Sequence, residues 1–156
     1  MRRTAALVTA TVALAAGASA ADAHGVRAER SVEASINAAR ARHGCGPLRV
    51  HRGLTRVAGS QARLLLSGGQ LDHDAGTPFG ERLHRAAPSM RLLGEDLAWS
   101  AGRHTAPGAI VRAWMHSPAH RAVLLDCRFS RVGIGIAGGR FGHHGRATVY
   151  AADLAA

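Results

Sequence analysis

Lysine is missing altogether: the 20 residues counted as Lys plus Arg are all arginines, against 10 Asp plus Glu, for a formal net charge of +10. With Ala and Gly abundant, an arginine-only bias is what a GC-rich genome produces without selection for binding. The arginines are spread along the chain and form no block. Aromatics are scarce, at 4% of residues, which removes the stacking platforms that single-stranded nucleic acid needs. Nucleic-acid binding is therefore not expected. Attraction to an anionic cell envelope remains, as a property of total charge and not of a site.

Long apolar runs are missing too. A membrane span needs about 20 apolar residues, and the longest run here, Ala5 to Ala16, falls short. It follows Met1-Arg2-Arg3 and precedes Ala18-Ser19-Ala20, the order of a secretory signal. Residues 1–20 are expected to be a signal peptide, cut after residue 20 or 23, leaving no transmembrane anchor. Cysteine occurs only at Cys45 and Cys127. In an exported protein two cysteines allow one intramolecular pairing; the other reading is two buried free thiols. No H-E-x-x-H helix and no G-x-S-x-G elbow is present.

What is present suits one folded domain: 156 residues, 47% hydrophobic and 19% charged, enough for a sizeable core. From Ser31, read as an N-cap, Val32, Ile36 and Ala39 fall at helical spacing, and Gly44 stops the helix. A second helix is expected over Arg52 to Ser67, with Leu54, Val57, Ala58, Gln61 and Leu65 on one stripe and Gly68-Gly69 at its end. Thr77-Pro78 reads as an N-cap and first helical residue of a short helix through Leu83. Thr105 and Pro107 open another helix, burying Ile110, Val111 and Trp114, and Ser117-Pro118 opens the next. After Cys127 the period becomes two: Val132, Ile134 and Ile136 alternate with Gly133 and Gly135. A Gly- and His-rich loop leads to a second strand over Ala147 to Leu154. Strand glycines beside β-branched residues imply close packing against that face. Helices first and a hairpin last favour α+β over a doubly wound sheet.

Four segments carry a resemblance. Asn37, Arg40, Gly44 and Leu48 match an N-x-x-R-x-x-x-G-x-x-x-L opening. Leu71-Asp72-His73-Asp74 is followed by Pro78-Phe79 and Arg82-Leu83. Gly94-Glu95-Asp96-Leu97-Ala98 and Trp114 to Arg121 complete the set, with Val132 to Gly135 trailing. In this order and at these intervals they resemble bacterial domains of the CAP superfamily (cysteine-rich secretory, antigen 5 and pathogenesis-related proteins). The resemblance covers roughly residues 31–156, expected as one CAP/SCP-like domain, and implies a three-layer α-β-α sandwich with a C-terminal antiparallel hairpin. It also implies a cleft to which His73, Glu95 and His120 converge. A second Glu found in many animal and plant members is absent, and Ser117 stands near its place. Asp96 for Asn, Ala119 for Gly, and Leu154 for an aromatic are further departures.

Two imidazoles and a carboxylate are a reasonable ligand set for a divalent cation such as zinc, with a position left open. The other reading is a metal-free hydrogen-bonded network of the same three residues lining a groove. A Ser117–His120–Glu95 hydrolase is disfavoured: Pro118 follows Ser117, whose hydroxyl is expected to cap the next helix. His116 and His120 are four apart, but Pro118 separates them. His143-His144 reads as a solvated turn, Trp114 as core, and Asp153 as a structural carboxylate without a role. The sum is a secreted or envelope-associated monomer acting as a non-catalytic binding module, for which the resemblance implies a lipid- or glycan-like ligand. Its rival is a metal-assisted or Ser117-dependent extracellular hydrolase.

Overall fold

The computed structural model describes residues 20–102 and 106–156. The expected signal segment, residues 1–19 of it, lies outside that range, as does Thr105. The first helix, α1, runs over Ala20–Arg42 and begins well before Ser31. The reason is local: Val26 to Arg30 contains only residues that tolerate helix, and nothing there competes for the backbone. Ser31 is no N-cap; its hydroxyl donates to the Arg27 carbonyl one turn back, 2.9 Å away.

After α1 come strand β1 (Arg49–Val50), helix α2 (Arg52–Gly68), helix α3 (Phe79–Ala86) and strand β2 (Leu93–Ala101). Helices α4 (Pro107–His116) and α5 (Pro118–Leu124) follow, then strands β3 (Arg131–Arg140) and β4 (Arg146–Ala155), joined by a 3-10 turn at Gly142–His144. Helix α2 matches its expected span. It starts where the Leu54 N–H donates to His51 Nδ1, 3.3 Å, and stops at Gly69, whose φ of 74° needs glycine. Helix α3 departs from expectation. It starts at Phe79, and Asp74, not Thr77, accepts from the Phe79 N–H at 2.9 Å.

The sheet order is β1-β3-β4-β2. The expected hairpin β3–β4 forms its centre, antiparallel, with Gly133 opposite Asp153 and Ile134 opposite Ala152. Strand β2, unforeseen from the sequence, pairs antiparallel with the far side of β4, placing Glu95 opposite Asp153. Alternation then assigns two faces. On one, Ala58, Ala62 and Leu65 of α2 pack on Leu97, Ala137, Val149 and Ala151, while Leu83 of α3 packs with Leu54 and Ala155. On the other, Val32, Ile36 and Ala39 of α1 and Ile110, Val111 and Trp114 of α4 pack on Val132, Ile134, Tyr150 and Leu154. The result is an α+β, three-layer α-β-α sandwich.

Two residues of the first motif prove to be fasteners. Asn37 exchanges hydrogen bonds with the Leu48 backbone, 2.8 and 3.0 Å. Arg40, fully buried, donates to the carbonyls of Gly46, Leu124, Asp126 and Phe129 at 2.7–3.1 Å. Cys45 and Cys127 form a disulfide beside this arginine, with Cα atoms 4.9 Å apart.

Candidate functional site

Strand β2 ends the sheet on the side away from β1, and its two acids point to opposite faces. Glu95, only 6% exposed, faces the α2–α3 layer. One of its oxygens accepts from His73 Nδ1 at 2.7 Å, and the other is held by the Arg82 guanidinium. Arg82 also donates to the carbonyls of His73 and Thr77, 3.0 and 3.1 Å. Buried Gln61 of α2 donates to the Asp72 carbonyl at 3.2 Å, and the Asp74 N–H to Asp72 Oδ1 at 2.9 Å. The loop carrying His73 is thus tied to α2, α3 and β2. The His73 side chain still keeps 52% exposure, so one edge of its ring faces solvent.

His120 sits in the first turn of α5, half buried, and its Nδ1 has no hydrogen-bond partner among the described residues. The charge on His73 is felt at His120. The bond to Glu95 draws the His73 pKa upward, whereas burial, and then the charge on His73, push that of His120 down. The pair is thereby driven to unlike states, His73 toward imidazolium and His120 toward the neutral ring.

Two further carboxyls are buried in the adjoining strands. Asp153, fully buried on β4, has its pKa raised well above the carboxylate range, first by burial and then by the Glu95 carboxylate beside it. Asp96, on the other face of β2, is 1% exposed with neither oxygen partnered among the described residues, and burial pushes it up to about 8. Sequence reasoning missed Arg82 as a clamp and assigned Asp153 no role. The signal for Asp153 is the register, since a strand at Leu93–Ala101 sets Glu95 directly against it.

As arranged, these residues do not fit a metal ion. Both Glu95 oxygens are occupied, one by a cation. Among the described residues no group of three or more His, Cys, Asp or Glu side chains is spaced to hold one. Ser117 occupies the N-cap position of α5, but its hydroxyl makes no capping bond, contrary to expectation, because the backbone there is set by Pro118 and the end of α4. Among the described residues it donates to no imidazole either, and a nucleophile requires a base at about 2.6–3.2 Å. His116 closes α4 and Pro118 opens α5, so the His116–His120 spacing spans two helices. Trp114 is core, with its Nε1 donating to the Leu97 carbonyl at 3.1 Å. The His144 ring is exposed yet packs on Trp99 and Phe141, centroids 4.8 and 5.4 Å away.

A central hairpin flanked by helical layers, with a loop histidine pinned to a strand carboxylate at one sheet edge, places this molecule among the SCP-type sandwich domains. Residues 34–151 match the CAP model, the cysteine-rich secretory protein family, and the chain belongs to that family. It is 30% identical over 110 residues to the protein YkwD of Bacillus subtilis (strain 168), a match taking in 69% of this chain and 41% of that one. The chain therefore spans less than half the length of this curated relative.

Among solved structures it is similar to an extracellular SCP-domain protein of Bacillus anthracis (TM-score 0.71, 20% identity, 90% of this chain and 45% of that one). It is also similar to an outer surface protein of Borrelia burgdorferi (0.67, 21%, 83% and 92%). These likenesses establish the fold. No helix among the described residues is long and apolar enough to cross a membrane.

Proposed function

We propose that this domain is an extracellular binding module whose cleft, formed by His73, Glu95 and His120, takes a hydroxyl-rich, glycan-like ligand without a resident metal. The reading is supported by the buried Nδ1 of His120, without a partner among the described residues, by the influence of the His73 charge on that ring, and by the hold of Glu95 on the half-exposed His73 imidazole. A buried polar atom left without a partner costs free energy, and a ligand group that fills the position recovers it. A neutral imidazole offers one donor and one acceptor, the pattern a sugar hydroxyl matches. A protonated His73 adds a donor on the solvent side. Arg82 and Asp153 shape this arrangement from behind without facing the ligand. Action outside the cell is supported by the disulfide and by the extracellular and outer-surface descriptions of the structural relatives.

The test is calorimetric titration with soluble peptidoglycan fragments, against vesicles of anionic phospholipid, on metal-analysed protein. Binding of the glycan by metal-free protein, lost in both His73→Ala and His120→Ala, is the expected result. Vesicle binding that depends on these histidines would replace the glycan with a lipid. Stoichiometric zinc lost in both variants would replace the metal-free reading.

A further inference from the structure

The opposite edge of the sheet carries a second feature. Strand β1 covers β3 only at Arg131 and Val132. There the Arg49 N–H donates to the Ser130 carbonyl, 3.0 Å, and the His51 N–H to the Val132 carbonyl, 2.8 Å. The chain then turns away into α2. Backbone polar groups alternate sides along a strand, so those of Ile134, Ile136 and Gly138 point out along the same edge, where no strand pairs with them.

Proteins usually blunt such an edge with charge, proline, a bulge or a covering segment. Here the stretch Gly133-Ile134-Gly135-Ile136-Ala137-Gly138-Gly139 has no charge and no proline, and its pairing with β4 runs without a bulge. Among the described residues no strand pairs with it beyond Val132; Ile134 is buried, Ile136 half-buried and Gly138 exposed.

What lies beside this edge is a groove of about 760 Å³ between α1 and α2, lined by Val26, Val50 and Ile134 and by charged side chains on both rims. A second concavity of about 480 Å³, at Leu66, Ile136 and Gly138, continues it along β3. Val26 and Val50 are 47% and 54% exposed, two of the few large apolar side chains left open to solvent. The rims differ in charge. On α1, Glu29 and Glu33 flank Arg30, whereas the α2 side carries Arg52, Arg56 and Arg63, with Arg140 at the end of β3. Arg52, Arg56 and Arg63 fall on one helical stripe, and among the described residues none of these four arginines has an acidic partner.

We propose that the open edge of β3, in the groove between α1 and α2, docks an extended acidic polypeptide segment, which joins the sheet as an added strand. The unpaired backbone groups require an extended chain that supplies its own N–H and C=O groups. Strand alternation then sets its side chains. Those turned toward α1 meet Val26, Val50 and Ile136 and are apolar; those turned toward α2 meet the arginines and are acidic. The cleft lies on β2, at the other end of the sheet order, so docking here is independent of ligand binding there.

The test uses the whole chain and a blocked peptide of about eight residues, matched to the length of β3, in which Val or Thr alternates with Glu. Controls replace Glu by Lys or methylate alternate backbone nitrogens. The expected result is saturable binding of the acidic peptide alone, weakened about tenfold in the doubly substituted Arg52→Glu, Arg56→Glu chain and by added salt. On binding, amide hydrogen exchange should slow at Ile134, Ile136 and Gly138, with no change at Glu95. Because both arginines are exposed, the variant's unfolding midpoint should stay near the parent's. Equal binding of the three peptides, or none, overturns the proposal. So does exchange at these amides that is slow before peptide is added, as a second copy or the chain's own first residues would cause.

Discussion

At the scale of single residues, the site is organised by acids that the sequence places side by side and the strand sends apart. Glu95 finds two cationic partners; Asp96 finds none. With its carboxyl at about 8, Asp96 makes folding pH-dependent in a definite direction. Below about pH 4 both folded and unfolded chains hold this proton, and the residue adds no slope. Between about pH 4 and 8 the unfolded chain releases it while the folded one retains it, so stability falls as pH rises. Asp96→Asn removes that loss. The variant should be more stable than the parent by up to about 5 kcal/mol at pH 8 and little different at pH 4, as read from urea midpoints at the two pH values. An equal difference at both would mean that Asp96 is ionised in the fold. His73, also raised, contributes a slope of the same sign above about pH 6.5, which the parent-minus-variant difference cancels. Glu95 and His73 were singled out in the sequence only through the family resemblance, not by their spacing. The clamp formed by Arg82 was not legible, because nothing in Arg82-Leu83 says that a guanidinium will reach back to a carboxylate thirteen positions ahead.

At the scale of elements, α2 and the β3–β4 hairpin were legible because each keeps one clear period, 3.6 or 2. Strand β2 was not: Gly94-Glu95-Asp96 breaks any alternation and puts two acids where β-propensity is low; Glu95 is accommodated by His73 and Arg82, and Asp96 by retaining its proton. The glycines of β3 were read as a mark of close approach, and they are. A Cβ on Gly133 would stand 2.1 Å from the Leu54 and Thr55 backbone, and one on Gly135 2.1 Å from that of Ala58. Helix α2 rests its main chain on this strand. At Gly138 the nearest atom to an added Cβ is 3.9 Å away. Accordingly Gly133→Ala and Gly135→Ala should each cost about 3 kcal/mol or prevent folding. Gly138→Ala should be neutral or stabilise by about 0.5 kcal/mol through the unfolded chain. Denaturant midpoints of the three variants decide it: a comparable loss at all three positions would mean that α2 does not set the constraint.

At the scale of the whole molecule, the charge could be read from composition alone and the cysteine pair only as one of two readings, whereas the sheet order could not, because a two-residue β1 leaves no pattern to read. The disulfide and Arg40 act on the same region by different means. Cys45 and Cys127 close a loop with a sequence separation of 82, which restricts chiefly the unfolded chain. Arg40 draws the Gly46 turn, the end of α5 and the start of β3 together in the folded one. Reduction should therefore leave the native packing in place, since the arginine still spans the junction, and lower the unfolding free energy by about 4 kcal/mol at most. Urea unfolding with and without reductant, each followed by near-ultraviolet circular dichroism, separates the two contributions. An unchanged native spectrum with a lower midpoint assigns the bridge to the unfolded state. Loss of the native spectrum on reduction would mean that the junction of α1, α5 and β3 depends on the sulfur bond itself and that the four carbonyl contacts of Arg40 cannot hold it alone.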